Sequence, residues 1–306
     1  MASTNRDCGC KGYRTCLICE EKYGIEKENS YLKQRPSYVY CMHCNKCYQG
    51  WNIDLYNQHP NHIGDSLNFP GVYIQLNFIT EKEEDYLIQN IDSISWDSSQ
   101  SGRRKQNYGP KCNFKRQKIK LGNFMGFPLF SEFVQKKFEQ VPIMKNFYTI
   151  EQCSLEYDPK TGASIDPHID DCWVWGERIV TVNLNSDSVL TMTRNEKTSR
   201  YNLACVRNYP AILDKNGIYN QSLDSFLVNS PTDTFEYPVV RIPMPRRSLL
   251  IMYGAARYEW EHQILREDIV ERRICLAYRE FTPSFLEGSS NYNIGKEILN
   301  KAKIFF

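Results

Sequence analysis

Alternation of apolar and polar positions organises the second half of the chain. In Tyr258-Glu-Trp-Glu-His-Gln-Ile264, residues Trp260, His262 and Ile264 share one face, while Glu259, Glu261 and Gln263 share the other, as in a half-buried strand. Arg273-Ile-Cys-Leu-Ala-Tyr-Arg279 alternates too, with Arg273, Cys275, Ala277 and Arg279 on one face and Ile274, Leu276 and Tyr278 on the other. Residues Arg178 to Leu184, Val189 to Met192 and Arg247 to Tyr253 read as core strands, and Phe69-Pro70-Gly71-Val72 opens a shorter one through Phe78. Helical spacing is confined to three places. Leu87, Ile88, Ile91 and Ile94 follow a capping box at Thr80-Glu-Lys-Glu83. Phe130, Val134 and Phe138 share a face within Pro128 to Gln140, and the tail from Asn293 is amphipathic. Many short strands with few helices predict an α+β, mainly β fold, its strands closing as a jelly roll with flanking helices.

Composition divides the chain. Residues 67–306 carry the strand pattern, whereas 1–66 form a Cys-rich module and linker, with 20–36 and 52–66 polar enough to read as loops. Residues 193–237 are a long polar insertion, a length that loops reach when they are functional or disordered. Seven of the twelve cysteines lie in the module: Cys8, Cys10, Cys16, Cys19, Cys41, Cys44 and Cys47. The start of the chain has no apolar segment of signal-peptide type and no run approaches a membrane span, so a cytoplasmic and nuclear location is expected. There thiols stay reduced, and CxC and CxxC pairs favour Zn over disulfides. With His43 the module offers eight candidate ligands, enough for two ions or for one with spare thiols.

The candidate chemistry centres on His168-Ile169-Asp170. In an extended strand, residues two apart project to one face about 6.6 Å from each other, which aims an imidazole and a carboxylate at one point and turns Asp171 away. Only one histidine follows, His262, on the inward face of its strand. Two His and one carboxylate with open positions beside them form the facial arrangement of non-haem Fe(II) oxygenases. The inward arginines, Arg273 and Arg279, require anions, because an unpaired buried charge is very costly. Six residues of strand put them about 20 Å apart, so they serve different ends of a site. One suits the far carboxylate of a dicarboxylate whose near end chelates the iron, and the other can buttress Asp170 or that near end.

His168-x-Asp170, then His262, then Arg273-x5-Arg279 resembles the signature of the AlkB family of Fe(II)- and 2-oxoglutarate-dependent dioxygenases. The likeness continues through CGCKGYRTCLICE, SGRRKQNYGPKCNF, IDPHIDDCWVWGER and GAARYEWEHQI, about four-fifths of the chain. It implies a double-stranded β-helix, 2-oxoglutarate contacts from Tyr157, Arg273 and Arg279, and oxidative removal of N-methyl groups with release of succinate, CO2 and formaldehyde. Leu155 departs from it, since many members have Asn two residues before the tyrosine. Members of the matching subgroup are associated with methyllysine, notably in actin, and with N6-methyladenine in DNA. Methylated actin or actomyosin is therefore the expected partner and DNA the alternative. A zinc-containing adaptor without activity is the competing class.

Charge sharpens the substrate question without answering it. The formal net charge is only +2, yet Ser98 to Ser131 contains no acidic residue. Arg103, Arg104, Lys105, Lys111, Lys115, Arg116, Lys118 and Lys120 fall there, with Tyr108 and Phe114 interleaved. Such a segment can track phosphates or steer an acidic protein surface. The resemblance makes it the substrate-recognition lid, with Arg103, Arg104, Lys105 and Tyr108 as expected substrate contacts.

Overall fold

Strands buried along nearly their whole length build two large sheets that face each other. The computed structural model describes residues 6–25, 27, 31–195, 201–229 and 238–306. In chain order its strands are β1 (Ser37–Cys41), β2 (Lys46–Gln49), β3 (Ser66–Asn68), β4 (Val72–Gln75), β5 (Asp97–Ser98), β6 (Arg104–Tyr108), β7 (Lys111–Asn113), β8 (Lys118–Lys120), β9 (Glu151–Tyr157), β10 (Ile165–His168), β11 (Trp175–Leu184), β12 (Ser188–Arg194), β13 (Val239–Met244), β14 (Leu249–Met252), β15 (Trp260–Ile264) and β16 (Arg273–Phe281). The helices are α1 (Leu17–Tyr23), α2 (Glu81–Asp92), α3 (Glu132–Phe138), α4 (Gly254–Tyr258) and α5 (Tyr292–Lys301). One sheet runs β4-β14-β11-β16-β9-β6-β5 and the other β10-β15-β12-β13-β1-β2-β3. Strand-to-strand jumps between them give the double-stranded β-helix, a jelly roll. No helix among the described residues is long and apolar enough to cross a membrane.

The first sheet is covered on both faces. Ile274, Leu276 and Tyr278 of β16, with Val180, Val182 and Leu184 of β11, pack against Leu87 and Ile91 of α2 and Val134 and Phe138 of α3. The opposite parity of β16 looks into the space between the sheets, as the sequence pattern requires. The capping box forms as expected: Thr80 Oγ1 accepts from Glu83 N at 3.2 Å and Glu83 Oε2 from Thr80 N at 2.7 Å. Two expected elements are shorter. β4 stops at Gln75, ahead of Asn77 in the left-handed region (φ 49°), which turns the chain. α3 begins after a 3-10 turn at Leu129–Ser131 and ends before Pro142, which holds Val141 extended.

The boundary expected at residue 66 is not a structural break. β1 pairs in parallel with β13, and β2 and β3 continue the same sheet, so residues 37–68 lengthen the jelly roll by three strands. An open β13 edge would leave a row of unpaired backbone groups, and these strands occupy it. The segment read as a loop at 52–66 contains a 3-10 turn at Ile53–Gln58, capped where Asn52 Oδ1 accepts from Asp54 N at 3.1 Å. The Cys-rich start, residues 6–25, packs elsewhere, against Ser98–Gly102.

Of the insertion, residues 201–229 are described, while its parts at 196–200 and 230–237 lie outside the described residues. Its backbone is tied to β11 where Glu177 Oε2 accepts from Ile212 N at 2.6 Å. Burial pushes the Glu177 carboxyl up to about 7 against the pull of that N–H. The folded state therefore keeps a proton that the unfolded chain releases near its ordinary pKa, about 4.3. The cost of the buried carboxylate is absent below that value, grows as pH rises through about 7, and is then constant, with a ceiling of roughly 4 kcal/mol. Glu177→Gln retains an acceptor for Ile212 and should abolish this loss. Urea titrations between pH 5 and 8 should show a steeper decline for the wild type, and equal slopes would remove Glu177 as the source.

Candidate functional site

β10 and β15 pair antiparallel with His168 opposite His262, which brings the two rings to 4.2 Å between centroids. β10 ends at His168, so strand parity does not place Asp170. The chain turns out of the sheet and returns the carboxylate to 3.8 Å from His168 Nε2. The same turn overturns the expectation for Asp171, which lines the cavity rather than pointing away. One ligand atom each from His168, Asp170 and His262 lies within 4.8 Å of the others. His168 Nδ1 sits 2.8 Å from the Asp166 carbonyl. Donation through Nδ1–H leaves the Nε2 lone pair for a metal. Burial lowers both imidazole pKa values, for His262 reinforced by His168, so both rings are neutral and fit to ligate.

Two arginines fix Asp170, one at its carboxylate and one at its backbone. Arg279 of β16 donates from Nε to Asp170 Oδ2 at 3.1 Å and from Nη1 to Glu151 Oε2 at 2.6 Å. Burial acts to raise the Asp170 pKa, and Arg279 with the two imidazoles outweighs it, holding the group well below the ordinary carboxylate range. Arg257 of α4, fully buried, donates to the Asp170 carbonyl at 2.9 Å and to those of Trp175 and Gly176 at 3.3 Å. It locks the turn that strand parity could not provide. Arg257 was missed by the reading of the sequence, although it stands inside the GAARYEWEHQI stretch that carried the resemblance. The outer face expected for β15 is not solvated either. Glu259 is buried in an ion pair with Arg194, and Gln263 is buried.

At the other end of β16, Arg273 is 1% exposed and lies opposite Tyr157 of β9, its guanidinium 4.8 Å from the ring centroid. Asn183 Oδ1 accepts from Arg273 Nε at 2.6 Å, and the Asn183 amide is itself held by the carbonyls of Ser186 and Met244, both at 2.8 Å. Arg273 Nη1 is buried with no partner. An orphaned cationic donor is expensive, and a carboxylate delivered there satisfies it bidentately. The residues therefore fit a dicarboxylate such as 2-oxoglutarate. Leu155, on the Tyr157 face of β9, is half-buried and offers no hydrogen bond.

The space outside the triad is a cavity of about 590 Å³. Its wall includes Arg103, Phe114, Gln117, Asp171, Trp175 and Arg279, with Tyr201 and Asn202 from the insertion and Arg14 from the Cys-rich start. Of the four expected substrate contacts only Arg103 lines it. Arg104 points to the helix side and is committed to Glu156, which Arg272 also grips at 2.8 Å. Lys105 is half-buried on the inward parity opposite Leu155 but outside the cavity wall. Tyr108 packs against the inner core. The remaining cations, Lys111, Lys115, Arg116, Lys118 and Lys120, are exposed on the β7–β8 hairpin at its rim.

Six of the seven cysteines gather into two groups, with the Cys16–Cys19 and Cys41–Cys44 pairs in different ones. Cys8, Cys10, Cys16 and Cys19 bring their sulfurs within 4.8 Å of one another. Cys10 Sγ accepts from Ser101 N at 3.2 Å, joining this knot to the segment that carries Arg103. Against burial, a hydrogen bond from Arg6 draws the Cys19 thiol down to about 6. Cys41 and Cys44 meet His59 and His62. Cys47, expected with them, is fully buried in the apolar core on the next strand, where burial raises its thiol pKa strongly. His43 stacks on His59 at 5.1 Å and is not in the group.

No family model matches the chain. It is 38% identical over 301 residues to the human protein named alpha-ketoglutarate-dependent dioxygenase alkB homolog 4, covering 98% of this chain and 94% of that one. The mouse protein of the same name is 37% identical, with 98% and 95% covered. A Caenorhabditis elegans protein named DNA N6-methyl adenine demethylase is 30% identical over 322 residues, with 99% and 97% covered. Near full-length identity at this level, joined to a jelly roll that gathers two histidines and an aspartate beside two inward arginines, makes the chain an enzyme of the AlkB family of 2-oxoglutarate-dependent dioxygenases.

Proposed function

We propose that this enzyme removes N-methyl groups from lysine side chains of an acidic protein, actin being the candidate suggested by the subgroup resemblance. Fe(II) is held by His168, Asp170 and His262, and 2-oxoglutarate by Arg273 with Tyr157 beneath its guanidinium. The chemistry that this bound pair supplies with O2 is oxidation of an N-methyl carbon to a hydroxymethyl group, which leaves as formaldehyde, with succinate and CO2 released. The chain's own residues bind, orient and exclude water. Arg279 keeps Asp170 ionised, and Arg257 fixes the turn that carries it.

The observation that carries the lysine reading is Asp171. It lines the cavity beside the rings of Trp175 and Phe114, and no cation pairs with it among the described residues. Burial, then the neighbouring Asp170, raises its pKa and the Arg257 guanidinium offsets this only in part, so the ionised carboxylate still lacks a full counter-charge that a substrate cation would supply. A methylammonium group needs a counter-charge and aromatic faces, whereas a neutral methyladenine needs no counter-charge. The second reading, N6-methyladenine in DNA, is favoured by the C. elegans relative and by the exposed cations of the β7–β8 hairpin. Zn2+ at Cys8, Cys10, Cys16 and Cys19 belongs to the same proposal, as the tie that holds Arg14 at the cavity wall.

Asp170→Asn should abolish iron-dependent turnover, because it removes a ligand and strands Arg279. Asp171→Asn should instead raise KM for a methyllysine peptide several-fold, in keeping with loss of about 1 kcal/mol of charge pairing, with 2-oxoglutarate affinity unchanged. An unaltered KM would take the substrate cation elsewhere.

Arg273→Lys replaces a planar fork by a point charge. Loss of a charged hydrogen bond, about 1.5–3 kcal/mol, should weaken 2-oxoglutarate roughly 10- to 100-fold in titration calorimetry. Unchanged affinity would move the anion site away from β16.

Salt separates the two substrates. DNA held by several cations should lose affinity log-linearly with ionic strength, whereas a folded acidic protein should show mainly a slower on-rate. Formaldehyde release from methylated DNA, with none from methylated actin, would replace the lysine reading by the nucleic-acid one.

A further inference from the structure

Away from the iron-binding triad, the β1–β2 turn and the segment after it build a second ligand set from side chains that are far apart in sequence. Cys41 ends β1 and Cys44 sits in the turn to β2, the two-residue spacing from which a tight turn presents two thiolates to one ion. Asn45, in the left-handed region at φ 56°, closes that turn, its N–H donating to the Cys41 carbonyl at 2.9 Å. The chain returns through the 3-10 turn Ile53–Gln58 and delivers His59 and His62. One ligand atom from each of the four lies within 4.8 Å of the others.

A separate observation indicates that something belongs between them. Both ring nitrogens of His62 are buried and have no hydrogen-bond partner. Leaving such groups unsatisfied costs about 1–3 kcal/mol each, and native structures rarely do so. The ring is held in place by stacking on Tyr48 at 3.8 Å between centroids. An imidazole whose two nitrogens are buried without a partner, set beside two thiols and a second imidazole, has the surroundings of a metal ligand.

We infer that Cys41, Cys44, His59 and His62 bind a structural Zn2+ that fastens residues 53–62 to the outer strands of the second sheet. Two sulfurs and two nitrogens make a closed tetrahedral set with no open position, so the ion is structural, unlike the triad with its open positions. Thiolate ligands select Zn2+ over the harder cation suited to the two-His, one-carboxylate site. Its mechanical consequence is local. The clamp fixes the path of the chain just after Trp51, whose ring lies 4.2 Å from the Arg241 guanidinium of β13, and Arg241 pairs with Asp268 at 2.7 Å.

The test is zinc content of the full-length protein, purified without chelator and read by inductively coupled plasma mass spectrometry. Cys44→Ser, at a half-exposed turn position, and His62→Ala should each lower zinc by about one equivalent per chain and lower the melting temperature. Cys47→Ala and His43→Ala should leave zinc unchanged. Replacement by Co(II) supplies a readout that the triad cannot produce, because sulfur-to-cobalt charge transfer requires thiolate. Cys41→Ser/Cys44→Ser should remove about a third of that absorbance, two of the six thiolates in the two clusters. Full zinc content in His62→Ala would overturn the assignment. So would a loss of zinc in Cys47→Ala as large as in Cys44→Ser, since the ligands would then be the sequence-adjacent cysteines.

Discussion

The buried pairing of Arg279 with Asp170 is the interaction on which the rest of the site depends. A carboxylate that is to ligate a metal must stay ionised where water is excluded, and burial alone would protonate it. Arg279 prevents that, and Glu151 on the neighbouring strand takes up part of the guanidinium that Asp170 leaves over. Removing either partner would strand a buried charge, an error that costs several kcal/mol. The position of β16 between β11 and β9, deep in the first sheet, follows from this need for a rigid, enclosed cation.

The same strand supplies both ends of the site because its period is two. Arg273 and Arg279 share a face six residues apart, one beside Tyr157 and Asn183, the other beside the triad. Their spacing corresponds to two separate jobs, an anion socket and a carboxylate buttress. The apolar face of the strand is equally committed, to α2 and α3, so neither arginine can rotate outward without exposing Ile274, Leu276 and Tyr278.

Around this fixed centre the variable parts converge. The insertion contributes Tyr201 and Asn202, the lid segment Arg103 and Phe114, and the Cys-rich start Arg14. Loops carried by a rigid sheet are where substrate choice resides in such folds. The N-terminal cysteines therefore serve two distant places: one knot leans on the segment that carries Arg103, and the Cys41–Cys44 turn extends the opposite sheet.

How much of this was legible in the sequence follows from the range of each interaction. Alternation identified β11, β15 and β16, separated the inward arginines from the apolar face, and marked His262, because strand period is a local property. The capping box of α2 was legible for the same reason. Local geometry does not reach Asp170: β10 ends two residues earlier, at His168, and Asp170 is placed by Arg257, a contact across 87 residues. Asn183 beneath Arg273, Glu156 capturing Arg104, and β1 pairing with β13 are likewise long-range and leave no periodic trace. The cysteine spacing announced metal chemistry but named Cys47 and His43 over His59 and His62, since nearness in sequence substituted for nearness in space. The sequence by itself determined which side chains carry chemistry and which way each strand faces. Tertiary structure decided which of them meet, because meeting depends on how two sheets close on each other, and no local pattern encodes that.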